Sequence, residues 1–147
     1  MEKLVKNENK SIKYDESHIE CITLALYYLT LNNPDIQAEM RESVFLELSK
    51  ELLVKYSKNN FIIYNIVSII RRIKNEDNLS KIAEDFLFTF FALFDYFYLT
   101  AKQYYKEHKS KEDGYQFELL IIKEIIAILG NISKNGKIHI MIFNQTK

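Results

Sequence analysis

The stretch IIKEIIAILGNISKNGKIHIMIF, at residues 121–143, joins an apolar helical pattern to a Gly-Asn pair and a second apolar run. Its isoleucines recur at intervals of three and four positions, which predicts a helix with one buried face. When the chain is aligned with itself so that Ile66 falls on Ile125, this helix matches FIIYNIVSIIRRI at residues 61–73. Every other Phe, Ile and Val of that stretch then also falls on an apolar residue. This alignment, the long-helix match, predicts that one type of helix occurs more than once.

Two further self-alignments extend this pattern. One places an earlier helix on the same isoleucine-rich helix, with Ile22 on Ile66. The other, the medium-helix match, aligns a different pair of helices and places Leu48 on Phe90. The three alignments have different offsets, which we attribute to an insertion near residues 101–114, AKQYYKEHKSKEDG. The sequence therefore predicts an internal repeat with a period in the low forties.

The apolar periodicity predicts helices throughout the chain. They lie near residues 16–31, 35–42, 44–57, 60–74, 78–83, 84–106 and 115–133, with a short helix from residue 137. Only three Gly and one Pro are present, which favours helices over a sheet with many turns. Each long helix is followed by Asn and a new helix start, in LTLNNPDI, IKNEDNL and ISKNGKI. The predicted unit is a short, a medium and a long helix.

This layout resembles the armadillo repeat family and, more loosely, the HEAT repeats, whose units span about 40–47 residues. AILGNIS (127–133) resembles the end of an armadillo third helix, and NGKIHIMIF (135–143) resembles the first helix of a following unit. The resemblance implies an all-α, right-handed α-solenoid of about three repeats. The alternative fold is a closed helical bundle.

The chain is predicted to contain a single helical-repeat domain at residues 16–143, with the insertion near 101–114. A flexible N-terminal segment (1–15) precedes it, and a C-terminal tail (144–147) follows it. The start is too polar for a signal peptide, and the apolar runs are shorter than the ~20 residues of a membrane helix. A single cysteine excludes an intramolecular disulfide. We therefore expect a cytoplasmic protein without a membrane span.

In armadillo proteins an Asn near the end of the third helix binds the backbone of an extended peptide in a concave groove, and the resemblance gives Asn131 that role. The self-alignments extend this face to the neighbouring units. The candidate concave-face residues are Asn131, Arg72, Tyr28, Ser68, Asn65, Glu124 and Arg71. Arg71 and Arg72 could bind a carboxylate or phosphate, or pair with a glutamate such as Glu124. The family's groove Trp is absent at the equivalent positions, which argues against nuclear-signal binding of the importin-α kind.

The sequence lacks the motifs of the common catalytic and metal sites. It has no H-E-x-x-H, no Gly-rich phosphate loop and no G-x-S-x-G. His18 and Cys21 have the spacing of half a zinc site, but no second pair exists. Twenty basic and twenty acidic residues disfavour a nucleic-acid binder. We expect a non-enzymatic scaffold without cofactor or metal, which binds a protein or peptide segment on the concave face.

Two points stay open at the level of sequence. The alternative function is a helical-bundle regulator or inhibitor with one dedicated partner, similar to viral inhibitors of cell death or innate signalling, or to immunity proteins. In addition, the apolar segment KIHIMIF (137–143) is not followed by a second helix that would cover it. Homo-oligomerisation, or a continuation of the solenoid, would cover that end.

Overall fold

The computed structural model describes residues 15–107 and 116–135, which form six helices and no strand. The helices are α1 (Glu16–Thr30), α2 (Pro34–Glu42), α3 (Phe45–Lys55), α4 (Asn60–Ile73), α5 (Leu79–Glu107) and α6 (Gln116–Ser133). The prediction of an all-α chain is confirmed. The predicted N-terminal segment up to residue 14, the helix from residue 137 and the C-terminal tail lie outside the described residues.

Short polar side chains stand at the starts of four helices, α1, α2, α4 and α5. Asp15, Asn33 and Asn59 each accept a hydrogen bond from the backbone N–H three positions further on, at the starts of α1, α2 and α4. Before α5, the side chains of Asn75 and Asn78 each accept from the backbone N–H of the other, at 2.9 and 2.7 Å. These bonds satisfy backbone donors that a helix leaves unpaired at its first turn. The asparagines after the long helices therefore separate one helix from the next.

The cap of α1 is expected to depend on pH. Hydrogen bonds from the Ser17 hydroxyl and the His18 backbone N–H hold the pKa of the Asp15 carboxyl below its ordinary value of 3.8. Because the pKa is lowered in the folded chain, the contribution is complete above the unfolded value and is lost as the pH falls through the folded one. The His18 amide shift, followed by NMR, should therefore titrate below pH 3.8. Asp15→Asn keeps an acceptor and should remove this transition, whereas a wild-type midpoint at or above 3.8 would contradict the account.

Helices α1 and α4 lie side by side and run in the same direction. At the start of both helices, the Asn59 amide donates to the carboxylate of Glu16 at 2.7 Å. Near the end of both helices, Arg72 donates to the backbone carbonyl of Tyr27 at 2.9 Å. Because the contacts join start to start and end to end, the two helices are parallel.

Helix α6 lies on the other side of α4 and is parallel to it. Asn60 at the start of α4 donates to Glu118 in the first turn of α6 at 3.1 Å, and Arg71 near the end of α4 pairs with Glu124 further along α6. Within the described ranges, no residue of α1 has its Cα within 8 Å of a Cα of α6. The three helices therefore form a layer, in which α4 separates the outer two.

The remaining helices cover one side of this layer. α3 packs on α4, and α5 packs on α6. α3 and α5 also run in the same direction, since Glu47 pairs with Lys81 at 3.2 Å and Lys50 pairs with Asp85 at 3.4 Å. The short helix α2 contacts α1, α3 and α4. One core of buried side chains joins α3, α4, α5 and α6.

The burial of α4 and α6 agrees with the long-helix match. Each matched isoleucine on the core side is buried in both helices, as in the pairs Ile62/Ile121, Ile66/Ile125, Ile69/Ile128 and Ile73/Ile132. The helices differ on the side that points away from α1. Val67 is fully buried in α4, whereas its match Ile126 is 53% exposed in α6. The equivalent apolar position is thus fully covered in α4, whereas the described residues leave it about half uncovered in α6.

The other two self-alignments agree less well with burial. Ile22 of α1 is exposed although its match Ile66 is buried, because α1 packs on α4 through one side only. Leu48 is exposed although its match Phe90 is buried. An alignment that places Leu53 on Phe90 pairs buried with buried positions instead. Because α5 carries apolar side chains on nearly every face, α3 can be aligned with it in more than one helical phase, and the medium-helix match is one of these.

The prediction of two helices at residues 78–83 and 84–106 was wrong, because α5 is one continuous helix. No Gly or Pro separates the two segments. The buried series from Ile82 through Phe86 to Phe90 crosses the predicted break without a change of phase. Helix α5 continues to Glu107, so the first residues of the predicted insertion belong to it.

Candidate partner-binding face

The structure distributes the seven predicted concave-face residues over different environments. Tyr28 and Asn131 are exposed, Arg71 and Arg72 are half-buried, and Asn65, Ser68 and Glu124 are buried. All of them lie on α1, α4 or α6, in the layer defined above. Four of them take part in contacts between neighbouring helices of this layer, and these contacts decide what remains available to a partner.

Adjacent arginines on α4 bind opposite neighbours. Arg72 donates to the Tyr27 carbonyl and, at 3.3 Å, to the Thr30 hydroxyl, and its guanidinium lies 4.2 Å from the centre of the Tyr27 ring. Arg71 forms the predicted pair with Glu124 on α6. Successive residues of a helix point about 100° apart, so one Arg-Arg pair can reach both sides. The two arginines therefore hold the layer together.

Asn65 and Asn131 use their amides within the protein. Asn65 donates to the Thr23 hydroxyl of α1 at 3.3 Å in a buried setting. Asn131 donates to the backbone carbonyl of Ala127 in its own helix at 2.6 Å. Beside it, a Cβ on Gly130 would meet no atom within 4 Å, so packing does not require glycine there. Asn131 is exposed and sits at the end of α6, beside the end of the layer.

The Thr23–Asn65 hydrogen bond gives a test of the contact between α1 and α4. Thr23→Val keeps the shape of the side chain but leaves the buried Asn65 donor without its acceptor, which is expected to cost about 1–2 kcal/mol of unfolding free energy. The double variant Thr23→Val, Asn65→Leu should recover part of that loss, because both partners are then apolar. Urea unfolding measures both values. A single Thr23→Val variant as stable as the wild type would contradict the contact.

Five aromatic rings cross the layer in a continuous series, which we call the aromatic row. It runs from Tyr28 to Tyr27 on α1, to Tyr64 on α4, to Phe117 on α6 and back to Phe61 on α4. Successive ring centres lie 5.2–5.8 Å apart. Such spacing is typical of favourable aromatic pairs.

The two ends of the aromatic row are the rings that face solvent. Tyr28 is 62% exposed and Phe61 is 60% exposed, whereas Tyr27, Tyr64 and Phe117 are half-buried. The inner rings are held in place by the helix contacts and by Arg72. The row therefore presents a rigid apolar surface on one side of the layer. This surface extends over α1, α4 and α6.

The hydroxyl groups of Tyr27 and Tyr64, in the middle of the row, affect the pKa values of each other. A hydrogen bond with Tyr64 lowers the pKa of Tyr27, and Arg72 lowers it further. Burial raises the pKa of Tyr64, and the bond with Tyr27 adds to that rise.

Charges of opposite sign lie at the two edges of this face. At the edge formed by the helix starts, the Asn59 amide binds the carboxylates of Glu16 and Glu20, and Asn60 binds Glu118. The arginines of α4 lie at the other edge. A bound segment would therefore meet carboxylates at one edge and the guanidinium of Arg72 at the other, since Arg71 is already paired with Glu124, and this difference favours one orientation.

Two apolar grooves lie away from the aromatic row. One, of about 430 Å³, lies between α3 and α5 and includes Val54, Phe88 and Tyr96. The other, of about 440 Å³, lies between α5 and α6 and includes Phe91 and Ile126. They provide alternative contact surfaces.

The comparisons with known proteins identify no relative, and the described side chains form no metal cluster. No family model, curated protein or solved structure matches this chain. In residues 15–107 and 116–135, no helix is long and apolar enough to cross a membrane. The same ranges hold no group of three or more His, Cys, Asp or Glu side chains suited to a metal ion.

The sequence reasoning included Tyr28 but missed the other four rings of the aromatic row. The apolar self-alignments did not mark Tyr27 and Tyr64, because these residues fall on Arg71 and Lys123 rather than on apolar residues. Phe61 falls on Leu120 in the long-helix match and was assigned to the apolar stripe. Its exposure places it outside that stripe.

Proposed function

We propose that this chain is a right-handed α-solenoid of about three armadillo- or HEAT-like repeats that acts as a non-enzymatic interaction module. The parallel layer of α1, α4 and α6 supports this, since long helices of successive repeats stack in the same direction. The separation of α1 from α6 by α4 also supports it, because a repeat contacts mainly its neighbours.

The partner in this proposal is a protein or peptide segment that lies across the layer on the aromatic row. The observation that carries the proposal is the row itself, with its two exposed rings Tyr28 and Phe61. Tyrosine and arginine are enriched among the residues that dominate binding energy, and rigid rings lose little entropy on binding. Arg72 already stacks on Tyr27 and has further N–H groups for a partner's carboxylate or carbonyl.

The test is affinity capture from cells that express the gene, followed by quantitative mass spectrometry. Three baits are compared: the wild-type chain, the double variant Tyr28→Ala, Phe61→Ala, and Phe88→Ala. Loss of central aromatic contacts is expected to weaken binding by about 2 kcal/mol or more, or roughly thirtyfold. A protein enriched with the wild type and with Phe88→Ala should be depleted with the double variant.

Phe88 is a matched control, because it is an equally large exposed ring on α5, away from the aromatic row. Both substitutions remove exposed side chains, so neither should unfold the chain. Equal capture by the wild type and the double variant would contradict the proposed site. Circular dichroism of all three baits shows whether they are equally folded.

A second candidate function is favoured by the groove between α3 and α5. Its apolar lining, with Val54 and Phe88 largely exposed, suits the apolar face of an amphipathic helix. This is the helical-bundle regulator with one dedicated partner. Selective depletion of a captured protein by Phe88→Ala would favour it over the aromatic row.

The proposed place of action is the cytoplasm. Cys21, the single cysteine of the chain, is free and exposed on α1. An exposed thiol persists most readily in a reducing compartment.

A further inference from the structure

The second half of α5 carries a stripe of exposed residues on the side that points away from the core. The stripe consists of Ala92, Asp95, Leu99, Lys102 and Lys106, and all five side chains are exposed. They follow one another at alternating intervals of three and four positions. This is the spacing with which one helix packs along another in a coiled coil. We call these five residues the outer stripe.

Helix α3 covers the first half of α5 on this side but does not reach the outer stripe. Lys81 and Asp85, which lie on the same side nearer the start of α5, pair with Glu47 and Lys50 of α3. Helix α3 then ends at Lys55. One helix thus already packs along this side of α5, and the described residues leave the remainder of that side open.

Asp95 and Lys102 have no counterion in their own helix. None of the residues three or four positions from either of them carries the opposite charge. Within residues 15–107 and 116–135, neither side chain forms an ion pair. Charges of opposite sign at these spacings would stabilise an exposed helix, so α5 gains nothing locally from this pair.

The charges of the outer stripe are complementary to themselves when two copies of α5 run in opposite directions. Asp95 lies four positions before Leu99, and Lys102 lies three positions after it. A helix rises about 1.5 Å per residue, so two antiparallel helices aligned at Leu99 place Asp95 of one copy level with Lys102 of the other, to within about 2 Å. The two-fold axis repeats this contact. Parallel helices in register would instead place each charge opposite its own kind.

The other residues of the outer stripe fit the same arrangement. Leu99, which is 60% exposed, lies on the axis and meets the Leu99 of the second copy. Ala92 and Lys106 are each seven positions from Leu99, so they lie level with each other across the axis. The small alanine leaves room for the aliphatic part of the lysine, whose ammonium stays in water. Apolar contact at the centre and ion pairs beside it define one register.

We propose that two copies of this chain associate through their outer stripes, with the α5 helices antiparallel and Asp95 of each copy paired with Lys102 of the other. The inference rests neither on the solenoid nor on a partner bound at the aromatic row. A single pair of helices forms a small interface, so the dimer exchanges with the monomer.

Sedimentation equilibrium of the full chain over a range of concentrations tests this contact. The mass of one chain is 17.5 kDa, and the average mass of the wild type should rise towards twice that value with concentration. Leu99→Asp places two carboxylates together on the axis and should weaken dimerisation at least tenfold. The matched control is Leu29→Asp, because Leu29 is a similarly exposed leucine, at 54%, on α1. It should dimerise like the wild type.

Charge reversal tests the antiparallel register. Asp95→Lys or Lys102→Asp alone turns both symmetry-related pairs into like charges and should weaken dimerisation roughly tenfold at low salt. The double variant Asp95→Lys, Lys102→Asp restores opposite charges at both pairs and should dimerise like the wild type. All of these positions are exposed, so circular dichroism should show the same helix content in every variant.

Three results would overturn the proposal. A wild type that keeps the mass of one chain at every concentration has no such dimer. Equal dimerisation of the wild type and Leu99→Asp assigns the contact to another surface. A double charge variant that dimerises no better than the single variants excludes the pairing of Asp95 with Lys102.

Discussion

Phe90→Ala is expected to lower the free energy of unfolding by about 3–5 kcal/mol, the largest effect of any substitution considered for this chain. Phe90 is fully buried in the middle of α5, and its ring stacks on Phe86 with 5.6 Å between ring centres. Alanine removes the buried ring and leaves a cavity that the surrounding helices can fill only in part. Chemical denaturation, monitored by circular dichroism, measures the change.

The control lies two positions earlier on the same helix. Phe88 is 72% exposed, so Phe88→Ala should change the free energy of unfolding by no more than about 0.5 kcal/mol. Helix propensity rises similarly in both variants, which isolates the effect of burial. Similar losses for the two variants would mean that α5 is rotated relative to the described core.

The second large effect is faster hydrogen exchange after Arg71 or Arg72 is replaced by alanine. We expect it in a different helix for each of the two arginines. Arg72→Ala removes two hydrogen bonds and a cation–π contact to α1, and charged hydrogen bonds contribute about 1.5–3 kcal/mol. Loss of about 2 kcal/mol raises local opening roughly thirtyfold. Hydrogen exchange should therefore accelerate in α1, while the amides of α6 keep their protection.

Arg71→Ala is the matched control and should give the opposite result. It leaves the buried Glu124 without its partner on α4, so exchange should accelerate in α6 and not in α1. The two variants change the same residue type at adjacent positions of one helix. If both variants accelerate exchange equally in α1 and α6, the arginines do not bind separate neighbours.

Most helices could be predicted from the sequence because their signals are local. The isoleucine spacing and the caps Asn33 and Asn59 define α2 and α4 to within a residue. The long-helix match also agrees with the burial of the core-side isoleucines of α6, but not with the exposure of Ile126, whose match Val67 is buried. Helix α5 was divided wrongly, because the expected unit of three helices suggested a break where the residues provide none.

The candidate site was harder to predict because it depends on contacts between helices. In the long-helix match the position on α6 equivalent to Tyr64 is Lys123. The residue of α6 that the Tyr64 ring contacts is Phe117, nearly two turns earlier, and the match gives no indication of this contact. The direction in which Arg71 and Arg72 point also depends on which helix lies on each side of α4. The sequence left pairing with Glu124 open for both arginines, and the structure assigns it to Arg71 alone.

The central claim is that α1, α4 and α6 form an open layer with α4 in the middle, and spin-label distances test it most directly. One label occupies the single native cysteine, Cys21, and the second occupies a Phe61→Cys or a Leu120→Cys substitution. Phe61 and Leu120 are both exposed and fall on each other in the long-helix match. The open layer predicts a distance longer by about one helix spacing, roughly 8–10 Å, for the variant at Leu120. Equal distances for the two variants would mean that α1 and α6 are equally close to each other and to α4 around one closed core, which would contradict the layer and the face built on it.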